Sequence, residues 1–336
     1  MPAAARPEDD ASDGAYAGKE GIQRMPTVTT SMTTEAAKTS TGVPRAGTSR
    51  GGAHVAGVDD GVFSRTVDAD TVVGRATSAH RFPGRRRVEV VANDRLAPGV
   101  HRLVLHDAYI ARHAKPAQFI DLYSANPLRL MPRPLGVCET SGDVASVVFA
   151  VVGTGTEEFS RLSPGDGVDV LGPLGRSYDL GRPANYVLVG GGLGVPPLIS
   201  AAQSLSARDD CRVTALFGYR DARFADDIVH PYADRLESIV NAEGNVIDLL
   251  DRLEGELIGS DLPPVILSCG PTPMMKAVAG WASQRGVPCQ FSLEQRMGCG
   301  YGTCVTCTVD TVEGRLKVCT DGPVFTTERL GWGEGR

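Results

Sequence analysis

Hydrophobic and polar positions fall into four regimes along the chain. Residues 1–84 mix Ala, Gly, Ser, Thr and Asp with no run able to pack against a core, which predicts a disordered extension. Met25 and Met32 inside it are also available as starts. From Arg85 short apolar runs recur between turn residues: RRVEVVAND, GVHRLVLHD, AQFIDLYSA, PLGVCET, ASVVFAVVG and GDGVDVLGPLG. Short strands at that spacing predict a small antiparallel β-barrel over 85–182, with a helical TEEFSRL before the last run.

Over 183–290 the period changes. YVLVGGG, CRVTALFGYRD, GNVIDLLD and PVILSCGP read as buried strands, while PPLISAAQSL, MMKAVAGWASQRG and a polar stretch before GNVIDLLD read as helices. Alternating strands and helices predict a doubly wound α/β parallel sheet. Residues 291–336 are rich in Cys and Gly and read as a third, small C-terminal unit. The chain is therefore expected to be multidomain.

Charge narrows the partners. With 34 Lys and Arg against 40 Asp and Glu, a net charge of -6 repels nucleic acid and anionic lipid. No apolar run approaches the roughly 18 residues of a membrane span, and MPAAARPEDD lacks the basic and then apolar order of a secretory leader. These features predict a cytoplasmic protein with no membrane partner. In a reducing compartment its eight cysteines are not a disulfide framework.

Three of those cysteines crowd into MGCGYGTCVTC. Cys299, Cys304 and Cys307 have the spacing C-x4-C-x2-C, and Cys319 follows the hairpin-like VDTVEGRLKV. This is the plant-type arrangement for a [2Fe-2S] cluster, with the fourth thiolate on a separate turn. Gly298, Gly300 and Gly302 would let the backbone curl with positive φ and bring N–H groups toward the sulfurs. Four thiolates also suit structural zinc, but zinc knuckles come as paired C-x2-C units and only Cys304 and Cys307 form one.

YVLVGGGLGVPPLIS runs from a strand through a Gly-rich turn into a helix, so free N–H groups can face a pyrophosphate. Gly191 precedes the pattern G-x-G-x-x-P formed by Gly192, Gly194 and Pro197. ILSCGPTPMMKAV repeats the theme, with Cys269, Gly270 and Pro271 at the turn. Two such strand ends in one parallel sheet predict a crevice for a nicotinamide nucleotide. GYRDARFADD places Arg220 and Arg223 among acids and does not choose between NADH and NADPH. In the barrel, Arg133 and the helix start at Gly153, Gly155 and Thr156 offer a phosphate grip, although alone they read more simply as a surface arginine beside a turn.

RPLGV, GTGTEEFS, GGGLGVPPL, CGPTPMMKAV, SLEQRMGCGYGTCVTC and VCTDGPVF occur in this order. Together they resemble the family of electron-transfer subunits of heteromeric dihydroorotate dehydrogenases, in the ferredoxin reductase-like superfamily. The resemblance covers about residues 85–330 and implies an FAD-binding barrel, an NADH-binding α/β domain and a [2Fe-2S] domain. It assigns FAD to Arg133, Pro134, Leu135, Gly136, Val148, Phe149, Ala150, Gly155 and Thr156, and the cluster to Cys299, Cys304, Cys307 and Cys319. The implied partner is a catalytic dihydroorotate dehydrogenase subunit carrying FMN, in a heterotetramer of two of each, serving pyrimidine synthesis.

Two positions depart from the family pattern. Gly136 stands where a serine is usual, and Phe149 with Ala150 where an aromatic-Arg pair is common. Losing the hydroxyl and the guanidinium removes on the order of a few kcal/mol of cofactor binding. No side chain needs to act as acid or base, because flavin and cluster carry the chemistry. The rival readings are a related reductase subunit serving hydrogenase, sulfite reductase or ferredoxin, and a zinc-stabilised binding module without redox activity.

Overall fold

A computed structural model describes residues 83–333. The extension expected at 1–84 therefore lies outside the described residues, apart from Pro83 and Gly84.

Strands β1 (Arg86–Ala97), β2 (Val100–His106), β3 (Phe119–Tyr123), β4 (Arg133–Ser141), β5 (Val144–Ala150) and β6 (Gly167–Leu174) close into a barrel in the order β1-β2-β5-β4-β3-β6. Every pairing in it is antiparallel. Alternation decides what points inward: Ile120 and Leu122 of β3 join Leu103, Leu105, Val147 and Phe149 in the barrel core. Phe119, Asp121 and Tyr123 must then face outward. Helix α1 (Ala108–His113) is capped by Asp107, whose Oδ1 accepts from the Tyr109 and Ile110 N–H groups at 2.9 and 3.0 Å. Helix α2 (Thr154–Ser160) takes the place expected for TEEFSRL.

The second layer is a six-stranded sheet in the order β14-β11-β10-β7-β8-β9. Its strands are β7 (Ala184–Gly191), β8 (Cys211–Tyr219), β9 (Arg235–Val240), β10 (Pro264–Cys269), β11 (Cys289–Ser292) and β14 (Val324–Thr326). All neighbours run parallel except β14, which closes the edge against β11 antiparallel. Helix α3 (Val195–Leu205) covers the face carrying Tyr186 and Leu188. Helices α5 (Val246–Ile258) and α6 (Thr272–Gln284) cover the face carrying Val187 and Val189. The sheet is doubly wound, as its sequence pattern predicts.

One segment differs from that pattern. GNVIDLLD does not form a strand; it opens α5, and the strand is Arg235–Val240 instead. Asn245 decides the matter, since its Oδ1 accepts from the Ile247 N–H at 2.9 Å while Asp248 Oδ2 accepts from the Asn245 N–H at 2.7 Å. Val246, Leu249, Leu250, Leu253 and Leu257 then recur on one buried helical face. Between Tyr219 and Arg235 lie the short α4 (Asp226–Val229) and a turn of 3-10 helix.

The thiol-rich segment is an excursion from the same sheet. The chain leaves β11, forms the hairpin β12 (Thr308–Thr311) and β13 (Gly314–Lys317), and returns through β14 before α7 (Thr327–Leu330). The unit expected from residue 291 thus begins inside β11.

Barrel and sheet meet along β4 and α3. The Gln203 amide behaves like an added strand: its Nε2 donates to the Thr140 carbonyl at 2.9 Å and its Oε1 accepts from the Thr140 N–H at 3.0 Å. Tyr232 donates to Glu139 Oε1 at 3.0 Å beside it. Replacing Gln203 by Ala leaves both Thr140 groups unpaired and is expected to cost about 1–3 kcal/mol. A guanidinium titration of the Gln203→Ala variant checks this, and an unchanged midpoint would refute the seam's contribution.

Candidate functional site

The C-terminal ends of β7 and β10 lie side by side where the connections diverge to opposite halves of the sheet, the place where open α/β sheets bind ligands. Gly194 makes that junction possible. A Cβ there would fall on the Cys269 carbonyl and the Gly270 nitrogen, backbone atoms that cannot rotate away. Gly191 is similarly confined by Pro271 and Met274.

A cavity of about 680 Å³ opens on this junction, lined by Gly191, Gly192, Gly194, Gly270 and Pro271. At its other end stand Arg220, Asp221 and Phe224, after the end of β8. Arg223 is drawn away: it pairs with Glu243, and its Nε donates to Ser238 Oγ at 2.9 Å.

A second cavity of about 310 Å³ lies between barrel and sheet. Arg133, Pro134, Leu135 and Gly136 of β4, Val148, Phe149 and Ala150 of β5, and Thr156 of α2 all line it. So do Pro197 and Cys269, which the sequence grouped with the nucleotide crevice. Gly155 is not on the wall; it lies beneath the Arg133 guanidinium, which occupies the space a Cβ would need. The Phe149 ring turns inward and meets Phe159 edge-on at 6.3 Å. The Thr156 hydroxyl is engaged within the turn, accepting from the Val152 and Gly153 N–H groups at 3.0 and 3.2 Å.

Gly136 also has a steric role here. A Cβ at that position would come within 2.6 Å of Pro197 Cγ, so the proline ring fills the space that a serine side chain would need. The two cavities share Ala150, Val152, Leu193 and Glu294, so a flat ring in one can face a ring in the other.

Sequence reasoning missed Phe119, Leu193, Leu293, Glu294 and Met297 as cavity residues. One signal was available for the last three: they follow β11, another parallel strand, whose C-terminal end belongs to the same crevice. Glu294 is open to solvent in the cavity yet surrounded by protein, and that burial pushes its carboxyl above the ordinary range. Cys269 is fully buried, and desolvation, followed by the nearby Glu294, holds its thiol well above its usual value.

Past Met297 the chain enters the thiol loop. Gly300 and Gly302 have φ of +75° and +89°, as its curl requires. Gly298 is needed for room instead: a Cβ there would lie 3.0 Å from Met131 Cε and 3.1 Å from Cys304 Sγ. Lys317 Nζ donates to the Gly302 carbonyl at 2.6 Å, tying the loop to its hairpin.

The four thiols gather as two pairs. The Cys304 N–H donates to Cys299 Sγ at 3.4 Å, while Cys307 and Cys319 are buried together with a side-chain hydrogen bond between them. The Thr306 hydroxyl and N–H lower the Cys304 thiol to about 6, and burial with Cys307 alongside pushes Cys319 up to about 12. Among the described residues no group of three or more His, Cys, Asp or Glu is arranged to hold a metal ion. Two thiol pairs are the donor set that a two-iron centre uses, with a pair for each iron.

Comparison with known proteins follows the same outline. The family described as the iron-sulfur cluster binding domain of dihydroorotate dehydrogenase B matches residues 294–331. The electron transfer subunit of dihydroorotate dehydrogenase B (NAD(+)) from Listeria monocytogenes serotype 4b is 32% identical over 257 residues, covering 72% of this chain and 97% of its own. The chain belongs to this family of electron transfer subunits. The Geobacillus thermodenitrificans member is 34% identical over 269 residues, covering 72% and 96%. Among solved structures, an NADH-dependent reduced ferredoxin-NADP oxidoreductase studied for flavin-based electron bifurcation superimposes with a TM-score of 0.64 at 29% identity, covering 74% of this chain and 90% of its own.

For a member of this family the β7–β10 junction should govern nucleotide binding. Gly194→Ala forces the two backbones apart, an overpacking that costs roughly 1–3 kcal/mol. A rise in the KM for NADH of about tenfold or more is expected, exceeding any loss of bound flavin. An unaltered KM would contradict the role given to the junction.

Proposed function

We propose that the chain carries electrons from NADH to a dihydroorotate-oxidising flavoprotein in pyrimidine synthesis. The observation that carries this reading is the continuity of the site. The nucleotide cavity shares a wall with the barrel cavity, and the far wall of the barrel cavity, Leu293 to Met297, runs directly into the thiol loop.

The residues present fit the groups this function requires. FAD would be held by Arg133 to Gly136, Val148 to Ala150 and Thr156, with Gly155 supporting the Arg133 guanidinium. The buried apolar wall and one unpaired guanidinium edge suit a ring system attached to phosphate. NADH would lie along Gly191, Gly192 and Gly194 toward Gly270 and Pro271. Cys299, Cys304, Cys307 and Cys319 would hold the [2Fe-2S] cluster as two thiolate pairs. When bound, these groups supply a two-electron carrier beside a one-electron carrier, the conversion needed between a hydride donor and a single-electron path.

The protein's own part is to position and insulate. Gly194 and Gly270 let the two strand ends close together beside the nucleotide cavity, and Pro197 and Cys269 line the barrel cavity. Cys269, kept as a neutral thiol by burial, adds no fixed charge to the wall of the barrel cavity. Gly298 lets the thiol loop lie close to Met131 of the barrel, and the hydrogen bond from Lys317 ties the loop to its hairpin.

The chain divides into a barrel at 85–182, a nucleotide-binding sheet at 183–290 and a cluster unit from 291. The partner is a catalytic dihydroorotate dehydrogenase subunit carrying FMN, in an assembly of two of each, located in the cytoplasm. Among the described residues no helix is long and apolar enough to cross a membrane. A second reading, delivery to ferredoxin, is favoured by the likeness to the ferredoxin-NADP oxidoreductase. Co-purification of the acceptor separates the two.

The function is tested by Cys304→Ser. NADH-to-dye turnover through the flavin is expected to persist within about twofold, while partner-dependent interconversion of dihydroorotate and orotate falls by roughly a hundredfold or more. Undiminished transfer to the partner would take the thiol loop off the electron path.

A further inference from the structure

Asp121 is the most heavily buried acid that this function leaves unused. It stands on the outward face of β3, is 0% exposed, and neither carboxyl oxygen has a hydrogen-bond partner. What covers it is the thiol loop: a Cβ on Gly300 would fall on Asp121 Oδ2, so the loop backbone rests directly on the carboxyl group. Gly300 sits one residue beyond Cys299, at a φ of +75°.

The surroundings do not neutralise this group. Arg85 lies over the Tyr123 ring at 4.0 Å but is ion-paired with Asp169 at 2.8 Å on the exposed side of the barrel. Tyr123 itself is influenced by Asp121, Arg85, Tyr301 and Cys299 together, which places all of them around one small volume. Lys317, the cation nearest the loop in the hydrogen-bond pattern, is engaged with the Gly302 carbonyl. Burial pushes the Asp121 carboxyl up to about 7.

A carboxyl group buried without a partner is costly to keep, and replacing it with an apolar side chain of similar size would be easier for the barrel. Its position gives it an electrostatic reach that an exposed acid would lack. At short range in a poorly polarisable medium, one charge or one dipole changes the electron affinity of a neighbouring centre strongly. The potential of an iron-sulfur cluster responds to the net charge, hydrogen bonding and solvent exposure around it.

We propose that Asp121 sets the reduction potential of the cluster, presenting its carboxyl group from the barrel to the inner face of the thiol loop at Gly300. The inference rests on the reading that Cys299, Cys304, Cys307 and Cys319 hold an iron-sulfur cluster. Asp121 is a tuning residue: it donates no ligand and touches no substrate. In its ionised form it lowers the electron affinity of the cluster and so favours release of the electron to an acceptor.

The test uses the full chain purified anaerobically, with iron and acid-labile sulfide measured first and the cluster then titrated by EPR at controlled potential at pH 8. Asp121→Asn is expected to retain iron, sulfide and NADH-to-dye turnover while its one-electron equilibrium shifts tenfold toward the reduced cluster, about 59 mV upward. Asp121→Ser, which is smaller, is expected to shift the same way. A potential within error of the parent protein in both variants would overturn the proposal. Loss of iron in both variants from a parent that contains it would overturn it too, making Asp121 a structural brace of the loop. Absence of iron and sulfide from the parent would instead remove the cluster reading beneath it.

Discussion

Two backbone turns meet at the ends of β7 and β10 with no side chain between them, and the remaining geometry depends on that contact. Gly194 lies against the backbone of Cys269 and Gly270, closer than any Cβ would permit. Because the turns close in this way, α3 begins where it can lay Pro197 against Gly136 of the barrel and Gln203 against Thr140. The barrel is thereby docked over the crevice, and a cavity forms between them. Since β11 pairs with β10 in the same sheet, the chain leaving β11 must pass that cavity before it reaches the cysteines. One sheet therefore sets the spacing of donor, carrier and exit.

The thiol loop obeys a different constraint. It carries four thiols and few side chains able to fill a core, so it is held by its neighbours: by Met131 of the barrel at Gly298, by Lys317 at Gly302 and by β14 returning to β11. Cys307 and Cys319 belong to the same buried cluster as Phe291 and Phe325, whereas Cys299 and Cys304 are nearer the surface. One thiol pair is thus anchored to the sheet, and the other lies nearer the surface beside the barrel.

Much of this was legible in the sequence because the signals are local. Short alternating runs marked the barrel strands, the glycine turns marked β7 and β10, and the spacing of Cys299, Cys304, Cys307 and Cys319 marked the loop. The failures were also physical. Arg235–Val240 hid as a strand because it lies at the sheet edge, where Arg235 and Glu237 pair with each other at 2.5 Å and face solvent. The helix at 246 was disguised by an apolar start whose identity turns on the Asn245 cap. Pro197 and Cys269 were grouped with the nucleotide because they sit in its motifs, yet both belong to the wall where barrel and sheet meet. Residues such as Phe119, Glu294 and Asp121 acquire their roles only through packing between distant segments, which no local pattern encodes.

We propose a two-iron cluster in the loop at 297–307, completed by Cys319 and wired to a flavin in the adjoining cavity. Metal, sulfide and flavin analysis of the anaerobically purified chain tests it most directly. About two iron atoms and about two acid-labile sulfides with one FAD per chain are expected. Stoichiometric zinc, with neither iron nor sulfide, would contradict it.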